Sequence, residues 1–230
     1  MMHSCYEKLP PEMQNDAVRH YCELLDKKKP SLFMKRLFDV IVSALMLLVL
    51  ALPFAVIAAF IKCDSSGPVF FRQTRLTRNM RRFRIFKFRT MCDKAESKGP
   101  LVTVENDSRI TRVGAFLRAK RIDEMPQLIN VFIGDMSFVG TRPEVAKYVE
   151  CYSEEMLATL LLPAGVTSRA SIYFKDESEL LRNAVDADRV YIEEVLPQKM
   201  KYNLDYLNSF SFFGDIKLMF ETFFAVSKKG

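Results

Sequence analysis

Two adjacent carboxylates are the residues of this sequence whose types and spacing point most directly to chemistry. Asp123 and Glu124 follow a basic stretch and precede Pro126. Carboxylates act as nucleophiles that form covalent intermediates, and they bind Mg²⁺. A structural interpretation stays open, because acidic residues are favoured in the first turn of a helix and proline suits its first position. The positive charge before the pair comes from Arg118, Lys120 and Arg121.

Further cations that could bind phosphate are concentrated between residues 69 and 91. The basic residues of this stretch are Arg72, Arg75, Arg78, Arg81, Arg82, Arg84, Lys87 and Arg89. Interleaved with phenylalanines, they are suited to RNA, to a membrane surface or to a pyrophosphate, and a solvated charged ribbon is the fourth alternative. Arg142 has two interpretations of equal weight, a surface arginine or a phosphate clamp.

Composition narrows the class of partner. The net charge of +6 indicates an anionic partner such as phospholipid, nucleic acid or a phosphorylated substrate. The five cysteines are scattered without a Cys-x-x-Cys pair, which argues against a zinc site and a disulfide framework and favours a reducing, cytosolic setting. His3 and His20 are the only histidines, so a catalytic histidine is not expected.

An uncharged apolar run of 22 residues extends from Val40 to Ile61. As a straight helix it would measure about 33 Å, enough to cross a hydrocarbon layer of ~30 Å. A soluble core helix is rarely this long and apolar on every side. The alternatives are a full span, a buried core helix, and a helix that enters the membrane and turns back.

Two features favour the helix that turns back. Pro53 interrupts the run, and its ring removes a backbone donor and clashes with the preceding turn, so we expect the helix to break there. Cytoplasmic flanks carry the excess of lysine and arginine, and here both flanks do. The flanking basic residues are Lys27, Lys28, Lys29, Lys35 and Arg36 before the run, and Lys62, Arg72, Arg75 and Arg78 after it.

The remaining pattern predicts a mostly helical α+β fold of the monotopic type. It combines a broken re-entrant membrane helix, amphipathic surface helices and a small β-ribbon with strands at 68–75 and 82–89. Helices are expected at 12–29, 109–121, 128–131, 141–158, 176–184, 188–201 and 212–224. A mobile loop is expected at 92–108, a loop between Gly134 and Gly140, a turn at 162–167 and a strand at 169–174. The chain divides into a polar leader (1–34), the re-entrant helix (35–62) and a membrane-associated catalytic domain (63–230).

Four stretches together resemble a known family. They are KRLFDVIVSALMLLVLALPF (35–54), SSGPVFFRQTRLTRNMRRFRIFKFRTM (65–91), DSRITRVGAFLRAKRIDEMPQLINVFIGDMSFVGTRPE (107–144) and LLPAGVTS (161–168). In this order and spacing the chain resembles the bacterial sugar transferases, also called monotopic phosphoglycosyl transferases.

The resemblance implies a reaction and a place in the cell. Family members move sugar-1-phosphate from a UDP-sugar to a polyprenyl phosphate such as undecaprenyl phosphate, giving a polyprenyl-diphosphate sugar and UMP. They need Mg²⁺. This is the first membrane step of O-antigen, capsule, exopolysaccharide or glycoprotein glycan assembly. It takes place on the cytoplasmic face of the bacterial inner membrane, against anionic phospholipid.

The family pattern also implies roles for single residues. Asp123 is the nucleophile that forms an aspartyl-phosphosugar intermediate, and Glu124 is a Mg²⁺ ligand. Arg118 helps to keep both carboxylates ionised. The other substrate-binding candidates are Lys87, Arg89, Arg142 and, less securely aligned, Asp188.

The chain departs from the family pattern in two places. Leu52-Pro53 stands where members often carry Ser-Pro, so the bend relies more on the proline, with Ser43 as a second candidate. The Gly-Arg-Asn stretch common after the PGxTG motif is absent, and Arg169 or Lys175 could replace its arginine. Because this region bears on sugar choice, the sequence leaves the sugar open.

Two other classes of function compete with the enzyme. A nucleic-acid-binding protein would use the basic stretch, but it leaves the apolar run unexplained, and the sequence has no RNA-recognition signature. We therefore expect no nucleic-acid partner. A non-catalytic membrane scaffold of the same fold would differ from the enzyme only in not needing Asp123.

Overall fold

A computed structural model describes residues 5–92, 108–174 and 186–227 of the chain. The predicted helix at 176–184 and nearly all of the predicted loop at 92–108 lie outside these residues. The described helices are α1 (Asp16–Asp26), α2 (Lys29–Asp64), α3 (Arg112–Ala119), α4 (Gln127–Ile133), α5 (Ala146–Val149), α6 (Arg169–Tyr173), α7 (Ala187–Val190), α8 (Leu196–Ser209) and α9 (Phe212–Ser227). The strands are β1 (Phe70–Leu76), β2 (Arg82–Phe88), β3 (Met136–Val139) and β4 (Ala164–Thr167). The mostly helical α+β class predicted from the sequence is confirmed.

Helix α2 contains the apolar run and is 36 residues long. It is long and apolar enough to cross a membrane by length and composition. The break expected at Pro53 is wrong: Pro53 lies inside α2, which continues through it as one helix. The missing donor removes one intrahelical hydrogen bond, while the turns on either side keep theirs.

One face of α2 packs against the rest of the protein from end to end. Its inner side chains are Phe38, Val42, Leu47, Leu50, Phe54, Ile57 and Ile61, and they contact two hydrophobic clusters of the body. The opposite face is bare: Leu48, Val49 and Leu52 are 76, 75 and 74% exposed. Three large aliphatic side chains facing outward together form an exposed apolar surface of the kind that contacts a membrane or another protein.

The N-terminal half of α2 is tied down by buried polar contacts. Lys35 Nζ lies 2.6 Å from Asp215 Oδ2 of α9, and it also donates to Val139 O at 2.7 Å. Arg36 donates to the carbonyl oxygens of Val131 and Phe132 at the end of α4. Since Lys35 and Asp215 are both almost fully buried, this end of the helix cannot detach without leaving charges unpaired in the interior.

The C-terminal end of α2 is held by the same body. Asp64 Oδ2 accepts a hydrogen bond from Val113 N at the start of α3, at 2.9 Å. Buried Arg89, which follows β2, donates to the carbonyl oxygen of Ser65 at 2.7 Å. The Phe54 ring also meets the Phe88 ring edge to face at 5.1 Å. Both ends of α2 therefore rest on one body.

Strands β1 and β2 form the predicted antiparallel ribbon, in which Phe70 pairs with Phe88 and Leu76 pairs with Arg82. The turn between them places Asn79 and Met80 at φ of 55° and 57°, the left-handed region that asparagine tolerates best. Along β2 the exposed side chains of Arg82 and Arg84 alternate with the buried ones of Phe83 and Ile85. The ribbon predicted at 68–75 and 82–89 is confirmed.

Three predictions around a second sheet are wrong. The loop expected between Gly134 and Gly140 contains β3, which pairs in parallel with β4 inside the expected turn at 162–167. The two strands come so close that a Cβ on Gly165 would lie 2.2 Å from Gly140 N. This close approach explains why both positions are glycine. The strand expected at 169–174 is instead α6, because the Ser168 side chain caps its start by accepting from Ser171 N.

The helix expected over 141–158 is also wrong. The backbone of 141–145 is irregular, α5 has four residues, and a 3-10 turn occupies Met156–Leu161. The reason is a competing tertiary bond, since Glu144 O accepts from Leu76 N of β1 at 3.0 Å rather than from a residue of its own turn. The region expected as one helix at 188–201 is a continuous run of α7, a π-turn and α8.

The polar leader is part of the main core rather than a detached element. Its helix α1 begins at the cap Asn15, whose side chain accepts from Val18 N, and it presents Val18, Cys22 and Leu25 to the interior. These side chains pack with Leu161 and other apolar residues of the body. The expected helix at 12–29 is confirmed over Asp16–Asp26.

The contacts of Lys35 yield a stability prediction. Lys35→Met leaves the Asp215 carboxylate buried without its cation, so we expect the free energy of unfolding to fall by about 3–5 kcal/mol. Lys217→Met is the matched control, since Lys217 lies 3.9 Å from Glu221 at the surface and is 75% exposed. Its loss should stay below about 1 kcal/mol. Denaturant unfolding of the detergent-solubilised protein measures both, and equal losses would contradict a structural role for the buried pair.

Candidate active site

The adjacent carboxylates lie in one 3-10 turn, Ile122–Glu124, between α3 and α4. Arg121 precedes the turn with a φ of 55°, a left-handed conformation that ends the basic helix and redirects the chain. Pro126 follows and caps α4, so the expected preference of proline for a helix start is also met. The acidic pair can therefore mark the start of a helix and also take part in a functional site.

Glu124 is held between two cations. Its Oε1 accepts a hydrogen bond from Lys87 Nζ at 2.6 Å and another from Arg142 Nη2 at 2.8 Å. Burial alone would raise the pKa of Glu124, but the charges of Arg142 and Lys87 and their hydrogen bonds hold that pKa well below its usual value. Two cations from distant parts of the sequence thus meet at one carboxylate.

Asp123 is half-buried and differs from Glu124 in having no cation bonded to it. Its carboxylate accepts a hydrogen bond from its own backbone N–H, and within the described residues no cation forms an ion pair with it. Burial and the neighbouring Glu124 charge raise the pKa of Asp123, while the charges of Lys87 and Arg118 oppose that shift. A carboxylate destabilised in this way is more basic and more nucleophilic than its exposed counterpart.

The substrate-binding candidates from the sequence do not all meet here. Lys87 and Arg142 contact Glu124, and Arg118 is close enough to act on Asp123 through its charge. Arg89 is buried and joins β2 to the end of α2 instead.

Asp188 lies in α7 and is bonded away from the two carboxylates. It accepts hydrogen bonds from Lys147 Nζ and, at 2.6 Å, from Tyr148 OH. The two bonds keep the pKa of Asp188 below its usual value.

Sequence reasoning missed a buried polar cluster behind Arg142. Glu144 accepts from Tyr191 OH at 2.6 Å and from Lys199 Nζ at 3.5 Å, and Arg75 Nη1 lies 4.0 Å from its other carboxylate oxygen. Glu144 belonged to the recognised Arg-Pro-Glu motif and Arg75 to the basic stretch, so both signals were visible. Their pairing was not, because the partners are 69 residues apart along the chain.

The donor set suits a magnesium ion that arrives with phosphate. Mg²⁺ usually takes one or two carboxylates and completes its octahedron with phosphate oxygens and water. Asp123 and Glu124 supply that number, and within the described ranges no cluster of three or more histidine, cysteine or acidic residues offers a fuller cage. Because Lys87 and Arg142 already neutralise Glu124, a bare cation would be repelled, whereas a metal bound to a diphosphate would not.

Comparison with known proteins decides the family. A family model described as "Bacterial sugar transferase" matches residues 30–229, which is most of the chain. The chain belongs to the bacterial sugar transferase family. Its matched region includes α2 from Pro30 onward, both sheets and the Asp123–Glu124 turn.

Curated relatives of this bacterial sugar transferase cover most of its length. One is the UDP-N-acetylgalactosamine-undecaprenyl-phosphate N-acetylgalactosaminephosphotransferase of Aeromonas hydrophila, 33% identical over 193 residues, which are 83% of this chain and 43% of the relative. A UDP-glucose:undecaprenyl-phosphate glucose-1-phosphate transferase of Klebsiella pneumoniae is 34% identical over 83% of this chain and 39% of its own length. The chain thus spans about two fifths of these two relatives. It spans 84% of the uncharacterized sugar transferase EpsL of Bacillus subtilis, at 33% identity over 82% of this chain.

The opposite pKa shifts of the two carboxylates predict opposite effects on stability. Because the pKa of Asp123 is raised, ionising it opposes folding, so Asp123→Asn should raise Tm at pH 7 by a few degrees, where 1 kcal/mol is worth ~2–4 °C. That gain should vanish as the pH falls below the ordinary aspartate range. Because the pKa of Glu124 is lowered, Glu124→Gln should lower Tm at pH 7, and the deficit should shrink as the pH falls. Thermal unfolding between about pH 2.5 and pH 8, a range that extends below the ordinary pKa values of aspartate and glutamate, measures both. A destabilised Asp123→Asn protein at pH 7 would contradict these charge assignments.

Proposed function

We propose that this chain transfers sugar-1-phosphate from a UDP-sugar to a polyprenyl phosphate such as undecaprenyl phosphate. The products are a polyprenyl-diphosphate sugar and UMP, and the reaction begins a bacterial surface glycan or glycoprotein glycan. The observation that carries the proposal is the contrast between two neighbouring carboxylates, one bound by two cations and the other uncommitted. The names of the relatives, which include undecaprenyl-phosphate sugar phosphotransferases, support the same substrate classes.

The first half of the proposed reaction uses Asp123 as nucleophile. One of its oxygens attacks the sugar-linked phosphorus of the UDP-sugar, forming an acyl phosphate, and the bond from that phosphorus to the bridging oxygen breaks. UMP leaves with the electron pair. A carboxylate whose charge is poorly compensated gains most from this step, because its negative charge is dispersed onto the phosphate group.

The cations beside Glu124 stabilise the charge that builds on the leaving phosphate. Lys87 supplies a point charge, and the planar guanidinium of Arg142 suits two phosphate oxygens at once. Glu124 is the residue that would hold Mg²⁺. When bound there with the diphosphate, the metal would neutralise further phosphate charge.

The second half of the reaction regenerates the enzyme. A phosphate oxygen of the polyprenyl phosphate attacks the acyl-phosphate phosphorus, the bond to Asp123 breaks, and the free carboxylate returns. The nucleotide is water-soluble and the acceptor is a lipid, so the site has to lie at the membrane surface.

Helix α2 accounts for that location. We infer that its bare face enters one leaflet from the cytoplasmic side while its packed face keeps the body at the surface. A full crossing would carry the body residues that contact Leu47 and Leu50 into the hydrocarbon layer. Exposed aromatic residues on α9, such as Phe213 and Phe223, extend the apolar surface, and anionic phospholipid would attract the basic flanks. Nucleic acid is not a proposed partner, since Phe83 and Phe88 of the basic ribbon are buried and cannot stack on bases.

The experiment is a covalent trap. Purified protein with Mg²⁺ is given a UDP-sugar labelled at the sugar-linked phosphorus, from a panel of UDP-sugars, and the lipid acceptor is withheld. We expect label on the peptide that contains residue 123, and its release on adding undecaprenyl phosphate. Asp123→Asn should abolish labelling and lower UMP release by at least about 10³-fold.

Asp205→Asn is the matched control, because Asp205 is an exposed aspartate of α8 with no role in the site. It should label like the unmodified protein. Undiminished UMP release by the Asp123→Asn protein would refute the nucleophile, and no UMP release by the unmodified protein with any UDP-sugar would refute the proposed function.

A further inference from the structure

Arg142 lies on backbone that has no regular structure of its own. Residues 141–145 run between β3 and α5 without helix or strand, yet Arg142 Nη2 reaches Glu124 Oε1 at 2.8 Å. Ordering a long arginine side chain on an irregular segment is costly in conformational entropy. Something outside the segment must therefore fix it.

The backbone on both sides of Arg142 is anchored by other elements. Thr141 O accepts from Gly165 N of β4 at 2.8 Å, and Pro143 O accepts from Arg75 Nη1 at 3.3 Å. One residue further, Glu144 O accepts from Leu76 N, which belongs to the same strand as Arg75. The segment is thus anchored by hydrogen bonds to β1 on one side and to β4 on the other.

The Glu144 side chain adds the strongest anchor. It is only 8% exposed, and it accepts hydrogen bonds from Tyr191 OH and Lys199 Nζ while Arg75 approaches its second oxygen. Lys199 Nζ also donates to Tyr191 OH at 2.9 Å, so the carboxylate, hydroxyl and ammonium form one connected network. A buried carboxylate with several charged and hydroxyl donors is stiff, because moving it would leave those donors unsatisfied.

The same network reaches the second substrate-binding candidate. The Tyr191 ring packs on the Tyr148 ring with their centroids 4.6 Å apart, and Tyr148 OH bonds Asp188 Oδ1. Glu144 therefore stands between Arg142 on one side and Asp188 on the other.

We propose that Glu144, held by Tyr191 and Arg75, is a positioning residue that sets the reach of Arg142 toward Glu124 and toward the diphosphate of the donor. It does not touch the reacting atoms. The proposal rests on the proposed function, since the position of Arg142 matters to a reaction only if a diphosphate binds there. A misplaced clamp on a transferring phosphate costs rate more than affinity.

The test is a double-mutant cycle on UMP release. Glu144→Gln keeps the shape of the side chain but removes its charge, and we expect kcat to fall by about 10- to 100-fold with little change in KM for the UDP-sugar. Tyr191→Phe, which keeps the ring against Tyr148, should give a smaller loss of the same kind. In an Arg142→Ala background either change should lower kcat by less than about twofold, since the residue they act through is gone.

Asp215→Asn is a closely matched control. Asp215 is likewise a buried carboxylate bound by one lysine, Lys35, and one tyrosine hydroxyl, that of Tyr206. The fold-changes in kcat caused by Asp215→Asn and by Arg142→Ala should multiply in the double mutant, because Asp215 does not act through Arg142.

Each outcome decides the proposal. Effects of Glu144→Gln and Arg142→Ala that multiply would overturn it, as would an unchanged kcat in the Glu144→Gln protein. If that protein does not fold, the Tyr191→Phe cycle gives the same decision. Inactivity of the unmodified protein would instead refute the proposed function, so the two failures are distinguishable.

Discussion

The arrangement depends on one long apolar helix being held by the same body at both of its ends. Near the start of α2, Lys35 is buried against Asp215. At the end of α2, Asp64 accepts a hydrogen bond from Val113 N at the start of α3. Between them, one face packs and the other is bare. A helix tied in this way can lie in lipid with one side, but it cannot pass through a bilayer while its two ends and its inner face remain on one body. In the proposed function, this arrangement would keep the Asp123–Glu124 turn at the boundary between lipid and water.

At the site, the two neighbouring carboxylates differ in pKa because the nearby positive charges are shared unequally between them. Glu124 takes hydrogen bonds from both Lys87 and Arg142, while Asp123 receives only the more distant fields of Lys87 and Arg118. Burial raises the energy of both ions, and only Glu124 has this offset by bonded partners. Carboxylates with raised pKa values are common at functional sites, and this difference is the reason why Asp123 rather than Glu124 is the proposed nucleophile.

The sequence was most informative where local pattern and tertiary packing agree. The β-ribbon was predicted because β-forming residues on both sides of the turn at 77–79 favour strands, and the apolar run was predicted as helical because it is long and uncharged. It failed at β3, β4 and α6, where a close approach of Gly140 and Gly165 and a cap at Ser168 override propensity. The carboxylate pair was found by its type and setting. The Glu144 network was not, because its members are brought together only by the pairing of distant segments.

We infer that both ends of α2 lie on the cytoplasmic side of the membrane, and site-directed labelling tests this inference most directly. Cys63 is exposed just before the end of the helix, and it is left as the only cysteine by replacing the other four with serine. A second protein carries Cys63→Ser and Ser31→Cys, which moves the single thiol to the helix start. A membrane-impermeant maleimide is applied to inverted and to right-side-out inner-membrane vesicles. The account predicts that both thiols react in inverted vesicles only, and reaction of the two thiols from opposite sides would contradict it.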